Sequence, residues 1–89
     1  MVSRKLLAQV RLASRHSPTG KTSHFRGNKL LPSPSRLAIV QYPGDSGFYL
    51  CHYNARGLES TDTYHETLEA AFAQALWEFG IRREEWIRY

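Results

Sequence analysis

A chain of 89 residues with 42% hydrophobic content holds one small folded unit rather than two. Its formal charge of +4 averages two unlike halves: residues 1–36 carry eight basic side chains and no acid, while residues 37–89 carry four arginines against eight acids. No run reaches the ~18 apolar residues that span a bilayer, and the lone cysteine, Cys51, excludes an intramolecular disulfide.

The acid-free segment comes first. It contains Arg4, Lys5, Arg11, Arg15, Lys21, Arg26, Lys29 and Arg36 and closes on Pro-Ser-Pro-Ser. On a helical projection Val2, Leu6, Leu7, Val10 and Ala13 share one face and Arg4, Arg11 and Arg15 the opposite one, so a helical alternative to disorder covers only 2–15. Pro18 and Gly20 end it. From Ser17 to Ser35 neither period 2 nor period 3.6 repeats, as in a disordered segment. Residues 1–35 are therefore expected to be a disordered basic tail. Three roles fit such a tail. One is an organelle-targeting peptide, if the source is a eukaryote. Another is an arm that holds nucleic acid or an anionic surface electrostatically through its seven cations and the adjoining Arg36. The third is a solvated terminus without a specific role.

The folding unit is expected over residues 36–89, which hold ten of the eleven aromatic residues. Arg36 to Tyr42 is short and apolar, PGDSG is a cluster of turn formers, and Phe48 to Tyr53 is a second apolar run. Together they read as a β-hairpin. Asn54 to Gly57 is another turn, and Leu58 to His65 holds a third candidate strand. Strand neighbours point to opposite faces, so Leu37, Ile39, Phe48 and Leu50 share one face. Val40, Tyr42, Tyr49, Cys51 and Tyr53 share the other. One helix covers one face. The second face needs a cover from the N-terminal segment, a second copy or a partner.

The helix is the strongest local pattern. Leu68, Ala71, Phe72, Ala75, Leu76 and Phe79 recur at the spacing of a buried face. Thr67 is the preferred N-cap over a Thr63–Glu66 capping box, and Gly80 is placed as the C-cap with Ile81 as its apolar follower. Arg82 to Tyr89 reads as a short helical turn, with Trp86 folding back onto the domain. Trp77 falls about 180° from Leu68 at 100° per residue, flanked by Ala70 and Ala73. This second apolar stripe is either covered by the C-terminal segment with Ile81 and Trp86, or it is a contact surface.

The expected architecture is α+β: a three-stranded antiparallel sheet packed by one main helix in the order β-β-β-α. The layout of Gly44, Asp45, Gly47, Phe48 and Tyr49 in a hairpin, followed by Thr67, Leu68, Glu69 and Ala71, resembles the HicB-type antitoxins over about 40 residues. The proline-glycine segment usual after the second strand in that family is missing, and no helix-turn-helix or ribbon follows Tyr89. The stretch DTYHETLEAAFAQALWEFGI with Trp86 is more similar to a group of small bacterial proteins of unassigned function. These resemblances imply the fold and a bacterial source, and the first adds an antitoxin or immunity role by analogy.

Chemistry is thinly represented. Cys51 and His52 are strand neighbours and cannot chelate one ion together, and no CxxC or HxxxH spacing occurs. Cys51 with His65 as nucleophile and base lacks a nameable orienting or oxyanion group. Asp62, His65, Glu66 and Glu69 read as a solvated helix start, and PGDSG lacks the Lys-Ser/Thr of a phosphate loop. No catalytic residue, metal, cofactor or small-molecule substrate is expected. The expected function is a non-enzymatic, cytoplasmic binding module that joins a protein partner or a second copy. Its contact residues are Trp77, Ala70, Ala73, Tyr42, Tyr49 and Tyr53. The alternative is a nucleic-acid-binding protein led by the basic arm, with tyrosines that stack bases.

Overall fold

The computed structural model describes residues 3–13 and 34–89, with the backbone alone of 25–26 and 29–30. Seven strands, one α-helix and one 3-10 turn are described: β1 Lys5–Arg11, β2 Phe25–Arg26, β3 Lys29–Leu30, β4 Arg36–Gln41, β5 Phe48–Tyr53, β6 Glu59–His65, α1 Leu68–Phe79, a 3-10 turn Arg83–Glu85 and β7 Ile87–Arg88. β2 and β3 pair only with each other. The main sheet is antiparallel, has five strands and runs β6-β5-β4-β1-β7. The α+β class and the packing helix agree with the sequence reading. The strand number does not, because β1 and β7 join the expected three-stranded meander.

β1 corrects the reading of residues 2–15. No helix forms over 3–13; Lys5–Arg11 is a strand, seated between β4 and β7. The cause is an irregularity in register between Leu6 and Ala8, opposite Val40 and Ile39. It inserts Leu7 as an extra residue, as a β-bulge does. Leu7 then packs toward the helix layer with Ala8, Val10 and Leu12. The apolar spacing 6, 7, 10 therefore mimics a helical face although the backbone is extended. The remainder of the expected disordered tail, from residue 14 to 33, lies outside the described residues apart from the β2 and β3 backbone.

The hairpin follows from its turn. The Asp45 carboxylate accepts from the Gly47 N–H at 2.9 Å, and Gly44 takes φ 78, the left-handed region open to glycine. The helix begins and ends at its expected caps. The Ala70 N–H donates to the Thr67 hydroxyl at 3.0 Å, and Gly80 adopts φ 69 while its N–H donates to the Leu76 carbonyl at 2.9 Å. Thr63, the rival cap, instead lies in β6 and bonds His65.

The buried face of α1 is Ala71, Phe72, Ala75, Glu78 and Phe79. Leu76, expected in that face, is 53% exposed. The stripe is rotated toward Glu78, whose carboxylate lies 3.8 Å from His52 of β5 and accepts from Gln74 one turn earlier on α1. The main core joins this face to Ala8, Val10, Leu37, Ile39, Leu50, Ile81 and Trp86. Phe72 meets Trp86 edge to face at 5.4 Å between centroids. Trp86 thus folds back as expected, but into the main core. It does not cover the Trp77 stripe.

Candidate functional site

Two surfaces carry the residues that the sequence singled out. The first is the sheet face away from α1. Ala38, Val40, Cys51 and Tyr53 form a second buried cluster there, with Tyr42 and Tyr49 packed against it. The alternation of strand side chains therefore sorts the two faces as expected. Part of the cover comes from the N-terminal segment itself. Arg4, next to the start of β1, extends its guanidinium over this face. It donates to the Glu59 carboxylate at 2.7 Å, to the Tyr53 hydroxyl and to the Tyr42 hydroxyl at 3.4 Å, and lies 3.9 Å from the Cys51 sulfur. These contacts hold the Arg4 charge firmly, with Glu59 the largest contributor. Arg36 lies over the Tyr53 ring at 4.0 Å and donates to Gln9 at 3.0 Å.

Cys51, Glu59 and Asp62 bring a thiol and two carboxylates within 4.8 Å of one another. The cation of this cluster is Arg4. Burial, reinforced by Glu59, pushes the Cys51 thiol up to about 12. Burial also raises the Asp62 carboxyl, with Glu59 adding like-charge repulsion. A neutral thiol beside the Arg4 guanidinium is part of an internal polar network and is not an activated nucleophile. His65 lies across the sheet from Cys51. It pairs with Phe48, in the helix-side layer, while Cys51 pairs with Asp62 on the opposite face. The sequence's one nucleophile–base pairing is therefore separated by the sheet.

The tyrosines form a row. Tyr42 meets Tyr49, and Tyr49 meets Tyr64, both edge to face with centroids 5.2 Å apart. Tyr64 is half exposed and was not among the expected contact residues. Its signal was strand parity, since it stands opposite Tyr49.

The second surface is the flank of α1 beside β6. His65, Ala70, Ala73, Gln74 and Trp77 line one shallow groove there. Ala70, Ala73 and Trp77 are all exposed, Trp77 at 42%. Below this flank lies a buried polar pair that sequence reasoning missed. Glu78 and His52 are each 2% exposed, with Glu78 Oε2 3.8 Å from His52 Nε2. The Gln74 amide donates to the same carboxylate at 3.0 Å, and the His52 ring stacks edge to face on Phe79 at 5.5 Å. The only sequence signal was spacing: Glu78 stands three residues after Ala75 and seven after Ala71. The groove residue His65 is held toward its neutral form, first by burial, although Glu78 pulls the other way.

The expected basic arm is split by the fold. Arg4 and Arg36 are engaged in the contacts above, while Lys5 and Arg11 are exposed on β1. Arg15 and Lys21 lie outside the described residues, as do the side chains of Arg26 and Lys29. No helix among the described residues is long and apolar enough to cross a membrane.

The fold and these surfaces define a small α+β domain with an antiparallel sheet and one helix. Comparison with protein-family models, with curated proteins and with solved structures gave no match.

Proposed function

We propose that this protein is a non-enzymatic binding module that meets a protein partner, or a second copy of itself, through the Ala70, Ala73 and Trp77 flank of α1. The observation that carries this reading is the placement of Trp77. It retains 42% of its surface while Phe72, Phe79 and Trp86 are all buried within the core. Two alanines beside it let another backbone approach, and tryptophan is favoured at the centre of protein interfaces. The burial of Cys51 and its separation by the sheet from His65 support the non-enzymatic part of the reading. An antitoxin or immunity role is the concrete version suggested by the hairpin, strand and helix layout. It rests on analogy of form.

The test compares Trp77→Ala with Phe79→Ala in the full chain, reading thermal stability and solution mass. Phe79→Ala should cost about 3–5 kcal/mol as a core truncation. Trp77→Ala should cost about 1 kcal/mol or less and weaken association. If Trp77→Ala is as destabilising as Phe79→Ala and leaves the mass unchanged, Trp77 belongs to the core and the reading fails.

A further inference from the structure

The strand pairing sets two arginines against each other. Arg11 of β1 stands directly opposite Arg36 of β4. Arg36 pairs in turn with Tyr53 and lies over its ring, so both guanidinia belong to the sheet face away from α1. Like charges directly opposite destabilise a sheet. Among the described residues, the carboxylates paired with arginines are Glu59 with Arg4, Glu84 with Arg82 and Glu69 with Arg83, so none of them neutralises this couple. The connection between the two strands adds to the charge. Residues 11–36 carry six basic side chains and no acid. They leave and re-enter the sheet at this couple, where the Leu12 N–H donates to the Ser35 carbonyl at 2.9 Å.

One amide ties this couple to an exposed ring. Gln9 lies on the same face, opposite Ala38. Its side-chain oxygen accepts from Arg36 at 3.0 Å, and its nitrogen donates to the Tyr89 hydroxyl. The Tyr89 N–H donates to the Leu7 carbonyl at 3.0 Å, so Tyr89 is held at its backbone and at its tip while it stays 65% exposed. A guanidinium fork fits a phosphate. A ring already held in place accepts the flat side of a base at little ordering cost. We propose that this face binds a single-stranded nucleic acid across β7, β1 and β4, with phosphate at the Arg11–Arg36 couple and a base on Tyr89. A single strand offers phosphates and open bases together, whereas a duplex keeps its bases stacked inside. An acidic peptide or an anionic membrane answers the arginines alone. This contact goes beyond the one proposed for α1, which packs on the opposite side of the sheet.

Binding of labelled poly(dT) to the full chain, followed against salt, tests this with three variants whose melting temperatures are read alongside. The parent should bind at low salt and release the strand as salt rises. Gln9→Glu keeps the side-chain shape and still accepts from Arg36 and Tyr89, yet it sets a carboxylate beside the couple. It should weaken binding about tenfold or more at an unchanged melting temperature. Tyr89→Ala should weaken binding about tenfold, within the range of one base stack. Arg82→Gln makes the same change in net charge as Gln9→Glu, but beyond Ile81 in the helix-side layer, and should alter affinity about twofold at most. Should Gln9→Glu melt early, Arg11→Gln at the exposed end of β1 carries the same test. A parent that ignores poly(dT) overturns the proposal, and binding of phosphatidylserine vesicles in its place would assign the cations to a membrane surface. Equal losses in Gln9→Glu and Arg82→Gln would show diffuse charge and overturn the site. Tyr89→Ala without effect, or duplex DNA bound as tightly as poly(dT), overturns the stacked single strand.

Discussion

Arg4 shows how much one side chain decides. Read in sequence, it is one of eight cations in an acid-free segment; in the fold, its guanidinium joins Tyr42, Tyr53 and Glu59 across the sheet. Charge pattern says where a cation sits along the chain. It does not say which distant acid the strand order brings beside it, and here that acid is 55 positions away. Cys51 depends on the same cluster. Its thiol is fully buried, and burial holds it up to about 12, so the neutral thiol dominates at pH 8. Alkylation of Cys51 at pH 8 should therefore proceed only through opening of the fold. The rate should rise towards that of a free thiol in denaturant. Fast modification of the native protein would show the cluster to be open. A linked stability effect follows. A pKa raised in the folded state contributes stability below the unfolded value of about 9, and this stability is lost as pH climbs toward about 12.

Elements defined by local chemistry were legible. The hairpin, the third strand and α1 follow from turn residues, alternation and caps, because a Thr hydroxyl or a left-handed glycine acts within four residues of itself. β1 and β7 were not legible. β7 has two residues and forms only against β1, while the bulge in β1 breaks the period-two pattern that would have marked it. The burial of Glu78 was hidden for a related reason: its partner His52 comes from another element, so the helical period by itself favoured Leu76. The two surfaces of the candidate site divide in the same way. The Trp77 flank is a property of one helix and could be read from spacing. The Arg4 network is a product of strand order and could not. Local caps also give a local prediction. Thr67→Ala removes the acceptor of the Ala70 N–H and should cost about 1 kcal/mol, seen as a lower melting temperature, while Thr67→Ser should retain most of it. Equal stability of Thr67→Ala and the parent would mean that the helix end is satisfied elsewhere.

At the scale of the molecule, the basic N-terminal segment and the remaining chain are not separable parts. β1 sits between β4 and β7, and Ala8 and Val10 are buried in the main core with Leu7 and Leu12 packed beside them. A fully buried Val or Leu contributes about 1.5–3 kcal/mol. Val10 is such a residue; Ala8, the half-buried Leu7 and Leu12 and the hydrogen bonds of the β1–β4 ladder add to it, a sum that is a large part of the ~5–15 kcal/mol total stability of a small domain. Deleting residues 1–13 should therefore abolish cooperative melting, exposing the apolar edge of β4 and removing the strand on which β7 docks. Circular dichroism and a thermal scan of the 14–89 chain read this directly. A sharp transition at the parent's temperature would show that β1 is dispensable. The same logic changes how nucleic-acid binding by the basic segment has to be tested. Truncation would confuse lost cations with a lost fold. Arg11→Ala and Lys5→Ala, both exposed on β1, remove charge while leaving the strand. If the segment binds nucleic acid electrostatically, each should weaken that binding and flatten its salt dependence, with the melting temperature unchanged.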